Sequence, residues 1–398
     1  MLNIVVLDFC ASNFRPLSET RPVVSLLAGC FTFEERIRKL FPNSALELRA
    51  CPSVAEVYSV KSNKSFIPKD ETGRTLYLKP NVVYNLEFAR MVESAEGDAI
   101  FKVDETVVAI LTHKPFDKGW FEIPPDWPVF ELDLIIVPAI WDLVNINASI
   151  ITADFDENFR RAIDGQVHPQ AAIYGENAVA IERGAEVFAG AVLDAREGPI
   201  IVSRGAIIRP GAIIQGPCFI GQDTVVLSGW IREDCSFGPM CKIAGEVESS
   251  IFIGYSNKGH EGFVGHSYIG QWVNLGALTT TSDLKNNYGK IRIDFGDGQI
   301  DTGRIKVGSF IGDHSKTGIG ALLNSGTYIG VSVNHYGTGL PPKFIKSFSW
   351  GTSQGYVEYE FEKAISTAKV VMSRRGEELQ PEEESLLKNI YKANWNKK

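Results

Sequence analysis

The sequence predicts an α/β domain, then a parallel β-solenoid, then a helical tail. Three observations carry that prediction: strand and helix patterns alternate in the first part of the chain, a six-residue aliphatic period fills the middle, and amphipathic helical stripes follow it. At 398 residues the chain has room for two or three such units.

In the first part, "NIVVLDF" reads as a strand. "TFEERIRKLF" reads as a helix, with Thr32 as N-cap and Glu34 and Glu35 at its positive end. "DAIFKVDETVVAILTH" reads as a hairpin turning at Asp104 and Glu105, and "WDLVNINASIITADF" as a helix running into the linker. This mixture places an α/β domain at residues 1–160.

The middle is periodic. Val202, Ile208, Ile214, Ile220 and Val226 stand six apart, and four residues after each come Ala206, Ala212, Cys218, Thr224 and Trp230. The same step links Ile181, Val187 and Leu193, then Ile269 and Leu275, then Ile311, Thr317, Leu323 and Ile329. A helix returns near 3.6 residues, so a step of six excludes it; a step divisible by two suits short strands. Gly and Pro recur between the aliphatics and break each strand. Coils that stack, with aliphatics on the axis and small residues at the corners, satisfy all of this. The solenoid is expected over residues 161–345. The stretch 279–303 breaks the period, so it should loop out, with "IRIDFGDGQI" as a small hairpin.

"NHYGTGLPPKFIKSFSWG" is rich in Gly and Pro and reads as an exit loop, leading to a helical tail over 346–398. There Phe361, Ile365, Ala368 and Met372 form one stripe, and Pro381 opens a second helix with acids first and lysines later.

A net charge of -8 leaves no surplus of Lys and Arg for a nucleic acid. No run approaches the ~20 apolar residues of a membrane span, and the start reads as a strand rather than a signal peptide. The six Cys form no C-x-x-C pair, so they are expected as reduced thiols filling small core sites of a cytoplasmic protein.

"SNKGHEGFVGHSYIG" concentrates two of the six His, His260 and His266. A neutral imidazole near pH 7 can take the proton of an attacking amine. Three His, His260, His266 and His314, could instead hold zinc.

The hexapeptide pattern resembles the left-handed β-helix of hexapeptide-repeat acyltransferases, which implies that hand, a homotrimer, and loops reaching over a site between subunits. "ASNFRPLSETRPVVSLL" resembles the opening loop of sugar-phosphate nucleotidyltransferases through Arg15, Pro16, Leu17, Ser18, Arg21 and Pro22, although Asn13 and Phe14 stand where the open Gly-rich loop should be. "RPLSETRPVVSLLAGCFTFEERI", "WDLVNINASIITADF", "SNKGHEGFVGHSYIGQWVNLGA", "SDLKNNYG" and "PPKFIKSFSWG" resemble a divergent two-domain family. That family is related to the bifunctional N-acetylglucosamine-1-phosphate uridylyltransferase / glucosamine-1-phosphate acetyltransferase.

The resemblance implies acetyl-CoA as acyl donor and a sugar phosphate or nucleotide sugar as the other substrate. It puts His260 on the family's catalytic His and Asn274 and Ala277 on its Asn-x-Gly-Ala, with Ala277 as a backbone contact to acetyl-CoA. Phe263 replaces a Tyr, and His266 replaces an Asp beside the site. Glu248 stands where the family has a phosphate-binding Lys, leaving Lys258 or Arg232 to receive an acceptor phosphate. In the first domain Arg15 and Arg21 would contact a nucleotide phosphate, with Mg²⁺ as its metal. Two alternatives follow: sugar-1-phosphate nucleotidyl transfer, and non-catalytic binding of a sugar nucleotide.

Overall fold

The computed structural model describes residues 2–9, 11–61, 73–113, 126–159 and 162–395. Two compact units divide the chain. The first comprises residues 1–14, 21–26 and 31–138; the second comprises residues 15–20, 27–30 and 139–398.

The first unit is an α/β fold. Its strand Asn3–Asp8 buries Ile4, Val5 and Val6 in succession, the pattern of a parallel strand covered on both faces. It pairs in parallel with Ala45–Ala50 and Thr75–Leu78. The sheet then turns antiparallel through Thr106–Thr112, which also pairs with Ala99–Val103. The hairpin closes at Asp104, whose φ is +50°. Helices α1 (Phe33–Leu40), α2 (Pro52–Lys61) and α3 (Leu86–Ser94) complete it. A full capping box starts α1: Thr32 Oγ1 accepts from the Glu35 N–H at 3.1 Å, and the Glu35 carboxylate accepts from the Thr32 N–H at 2.8 Å.

The second unit is a parallel β-solenoid, preceded by α4 (Ile140–Asn158) and followed by α5 (Phe361–Ser373) and α6 (Pro381–Trp395). Its strands stack in three faces. One begins at Val179–Ile181 and ends at Phe344–Ile345; the second begins at Gln166–Val167; the third begins at Ala172–Tyr174. Ile208, Ile214, Ile220 and Val226 are fully buried inside, and Ala206, Ala212, Cys218 and Thr224 fill the space beside them. Trp230 breaks that rule and lies outside, 45% exposed.

The first face is apolar on its outside as well. Ile201, Phe219, Ile251, Tyr268 and Phe310 point outward there and are still buried. Helix α4 packs against this face, with residues 27–30 held beside it. Asn147, fully buried, accepts from the Gly29 N–H at 2.9 Å and donates to the Asp234 carbonyl and to Ser236 Oγ. Asp154 accepts from the Cys30 N–H at 2.8 Å, and Tyr268 donates to the Leu27 carbonyl. Gly29 cannot be replaced: φ is +67°, and a Cβ would lie 2.5 Å from Asp154 Oδ2 and Ile150 Cγ2. Residues 15–20 dock farther along, where Glu19 accepts from Tyr328 at 2.6 Å and from Ser347 at 3.0 Å.

Three expectations need correction. "NHYGTGLPPKFIKSFSWG" is not a loop: Asn334–His335, Phe344–Ile345 and Ser349–Thr352 continue the solenoid, because each finds a backbone partner in the coil before it. Cys51 is exposed rather than in the core, while Cys30, Cys218, Cys235 and Cys241 are buried thiols; Cys10 lies outside the described residues. The interruption begins only after Thr280–Thr281, which still pairs with Leu322–Leu323; its hairpin is Arg292–Asp294 with Gln299–Asp301. The tail stripe of Phe361, Ile365, Ala368 and Met372 is buried as the spacing predicts.

Replacing Asn147 by Leu keeps the volume but orphans buried donors and acceptors, each costing roughly 1–3 kcal/mol. The expected result is a lower urea midpoint with an unchanged denaturant slope.

Candidate functional site

Each coil turns at three corners, and from Asp223 to Leu278 at least one residue per corner takes a positive φ. Tyr255, Trp272, His314 and Ser332 follow one another at the first corner, with φ between +53° and +62°. Asp234, Ser249 and His266 share the second, joined by corner-to-corner backbone bonds such as His266 N–H to the Glu248 carbonyl at 3.1 Å. Gly245, Gly262 and Leu278 share the third, two residues beyond His260 in its own coil. His260, His266 and His314 therefore stand at three different corners and do not converge on one ion within a chain.

At the second corner, His266 is nine-tenths buried and its Nδ1 lies 2.7 Å from Asp283 Oδ2. Asp283 opens the excursion. Burial alone would raise its carboxyl, but the His266 hydrogen bond and charge, with Lys306, outweigh that and hold it below the usual range. The carboxylate is thus ionised, so Nδ1–H donates to it. In the neutral ring Nε2 is then the bare nitrogen, and it has no partner among the described residues.

The adjoining third face supplies the surroundings. Trp230, Glu246 and Phe263 are direct neighbours on its outside in successive coils, followed by Glu248 beside Gly265. A Cβ on Gly265 would lie 2.5 Å from the Phe263 ring and 2.6 Å from Asp283 Oδ2, so both close over that bare backbone. Arg232 lies over the Trp230 ring at 5.4 Å and is bonded to Glu248, with Glu233 at 3.6 Å and Glu246 at 3.7 Å. Lys306 reaches Glu248 at 3.1 Å. Asp234, hydrogen-bonded to Ser249, has its carboxyl raised by burial and by Glu233.

Of the residues expected around His260, Ala277 and the Lys258 ammonium lie next to it and the others sit elsewhere. His260 is exposed, and its ring has no hydrogen-bond or ion-pair partner among the described residues. Ala277 is beside it in the next coil, where the Leu278 N–H bonds the Glu261 carbonyl at 2.9 Å. Asn274 is exposed on the outside of the second face, between Asn257 and Lys316. Lys258 does not face a substrate. It takes an inward aliphatic position, between Ile243 and Leu275 in adjacent coils, and is 2% exposed. Its ammonium donates to the carbonyls of Ala244 at 3.0 Å and His260 at 2.9 Å, and burial pushes its pKa down to about 8. Phe263 and Arg232 belong to the His266 face.

The two arginines of the opening loop fall in different units. Arg15 lies against the Phe295 ring at 4.9 Å and pairs with Asp297 at 3.1 Å, in the excursion hairpin. Arg21 is half-buried in the first unit. At the end of the first strand, Asp8 accepts from the Val24 N–H at 2.9 Å. A carboxylate of the chain itself thus occupies an amide of the loop that would have to receive a phosphate.

Residues 4–162 match the model of a family described as sugar nucleotidyl transferase. A bifunctional sugar-1-phosphate nucleotidylyltransferase/acetyltransferase of Sulfurisphaera tokodaii is 34% identical over 91 residues, 23% of each chain. The bifunctional protein GlmU of Methanococcus aeolicus is 29% identical over 193 residues, 48% of this chain and 40% of that one. An uncharacterized acetyltransferase of Escherichia coli, YaiX, is 26% identical over 151 residues, 37% of this chain and 66% of its own. The chain is a divergent relative of these proteins, and its matches span less than half the length of the first two. The solved Arabidopsis UDP-N-acetylglucosamine acyltransferase is 12% identical, with 54% of this chain and 78% of that one covered and a TM-score of 0.20. No helix among the described residues is long and apolar enough to cross a membrane.

Asp8 gives the first unit a pH dependence of known sign. Burial lifts its pKa from 3.8 to about 6, against the pull of the Val24 and Val23 amides. The folded state therefore holds this proton more tightly than the unfolded chain. Its stabilising effect is complete below about pH 4 and is lost as pH rises through about 6, a change of about 3 kcal/mol. The urea midpoint should fall between those pH values in the native protein, and Asp8→Asn should remove that part of the fall.

Proposed function

We propose that the solenoid is an acyltransferase, passing an acetyl group from acetyl-CoA to the amine of an amino-sugar phosphate or nucleotide-linked amino sugar. The observation that carries the reading is the His266–Asp283 pair: an imidazole oriented by an ionised carboxylate, with its second nitrogen open. The amine nitrogen attacks the thioester carbonyl, the new C–N bond forms, and the C–S bond breaks. His266 Nε2 takes the amine proton and returns it to the departing thiolate. Asp283 fixes the tautomer and stabilises the imidazolium.

A second reading makes His260 the base. It is favoured by the Lys258 ammonium, which anchors the His260 carbonyl, and by Ala277 beside it. In that reading Asn274 orients the acceptor. Assembly as a homotrimer belongs to both readings, and light scattering of the purified protein tests it.

For the first unit, the family match supports a nucleotide-sugar ligand. The engagement of Arg15 by Asp297 and of Asp8 by Val24 weighs against turnover there. Nor do these groups fit a resident Mg²⁺, since Asp8 is nine-tenths buried and already bonded; no step is assigned to a metal.

Thiol release from acetyl-CoA, measured over a panel of amino sugars and their phosphates, tests the proposal. His266→Ala should lower kcat by about 10²–10⁴-fold, and Asp283→Asn should lower it less, with the pH profile displaced. A loss confined to His260→Ala, with His266→Ala active, selects the second reading.

A further inference from the structure

The charges around His266 are unequal. Glu233, Asp234, Glu246, Glu248 and Asp283 bring five carboxylates to one corner and its adjoining face. Among the described residues Arg232 and Lys306 are the outward cations there, and both are already bonded to Glu248; the buried Lys258 ammonium, committed to two backbone carbonyls, also acts on Glu246. A phosphate approaching this face would have to break one of those pairs and would still meet the remaining carboxylates. An ammonium meets the reverse situation. Glu246 stands outward between Trp230 and Phe263, with its side chain 40% exposed and its closest cation 3.7 Å away. Unlike charges a few ångströms apart at a protein surface attract and like charges repel, more strongly than in bulk water although solvent still screens them. The sign of the local field therefore selects between acceptors that differ by one phosphate. Asp234 lies in the same surroundings: burial first, then Glu233 and Glu248, raise its carboxyl against the opposing pull of Ser249 and His266.

The corner has a second element: a nine-tenths buried imidazole whose Nε2 has no partner among the described residues. Beside the carboxylates, the half-exposed Trp230 ring is held in place by its Nε1–H bond to Gln215 at 2.7 Å. It offers an apolar plate next to Glu246, suited to a compact body with one apolar face and polar edges.

We infer that the acceptor bound at this face is an aminated sugar that carries no phosphate, recognised through its ammonium by Glu246 and delivered to His266. This rests on the acyl-transfer reading for its chemistry and departs from it in the acceptor, which lacks the phosphate named there. An acceptor that arrives as an ammonium must lose two protons before the amide is complete. The nearby carboxylates and solvent take the first, and His266 takes the second.

Calorimetric titration of the full-length protein with glucosamine and with glucosamine 1-phosphate, at low salt and about pH 7, tests the inference directly. Glucosamine should bind at least about 10-fold more tightly, and added salt should weaken it. Glu246→Gln should weaken glucosamine, and Glu246→Lys, at a side chain exposed enough to leave folding intact, should shift the preference toward the phosphate. Equal or tighter binding of the phosphate by the native protein overturns the inference. So does an unchanged preference in Glu246→Lys, or no binding of glucosamine. Thiol release from acetyl-CoA in the same samples separates the two claims. Selective glucosamine binding with no thiol release from any amine sinks the acyl-transfer reading alone. Release that is fastest with the phosphorylated acceptor keeps that reading and sinks the inference.

Discussion

The closed interior of the solenoid governs the rest of the second unit. Each coil hydrogen-bonds to the coils on either side, and its inward positions are filled mostly by aliphatic or small side chains with little spare volume, Lys258 being admitted only because backbone carbonyls receive its ammonium. Chemistry is thereby confined to three places: the outward faces, the corners, and the stretch where the chain leaves the coils. The candidate site forms where these coincide. His266 is a corner residue, Glu246 and Glu248 lie on a face, and Asp283 and Lys306 mark the two ends of the excursion.

Much of this was legible in the sequence. The six-residue period specified the coils, Thr32 and Glu35 specified a capped helix, and Asp104 marked the turn of the hairpin that follows later in the first unit. The partner of His266 was not read, yet a signal existed. Coils repeat about every seventeen residues here, and Asp283 stands seventeen beyond His266. Lys258 was misplaced because its charge suggested a surface role, whereas its register puts it in line with Ile243 and Leu275. No periodicity could have revealed that Asp297 holds Arg15, because 282 residues separate them. The covered face did leave a trace. Strands such as "CFI", apolar at inward and outward positions alike, imply something packed on the outside.

The corners differ in electrostatic character, and the difference arises from burial as much as from composition. Lys258 donates to the His260 carbonyl and Lys316 to the His314 carbonyl, and desolvation pushes both pKa values down to about 8. Those cations serve the backbone. The second corner instead gathers carboxylates whose mutual repulsion is only partly offset by Arg232 and Lys306. The third corner, beside the Lys258 ammonium, is thus weakly cationic and the second is anionic, and a single strand, Phe263–Gly265, separates them.

The covered face also imposes an order in time. Residues 15–20 and 27–30, with α4, belong to the compact unit that contains the coils. Synthesis delivers them before any of those coils has left the ribosome. The apolar surface they are built to cover, from Ala180 to Tyr328, is completed only once Tyr328 has been made. The early segments must wait for the later coils, and until then both remain exposed to whatever else in the cell binds apolar surface.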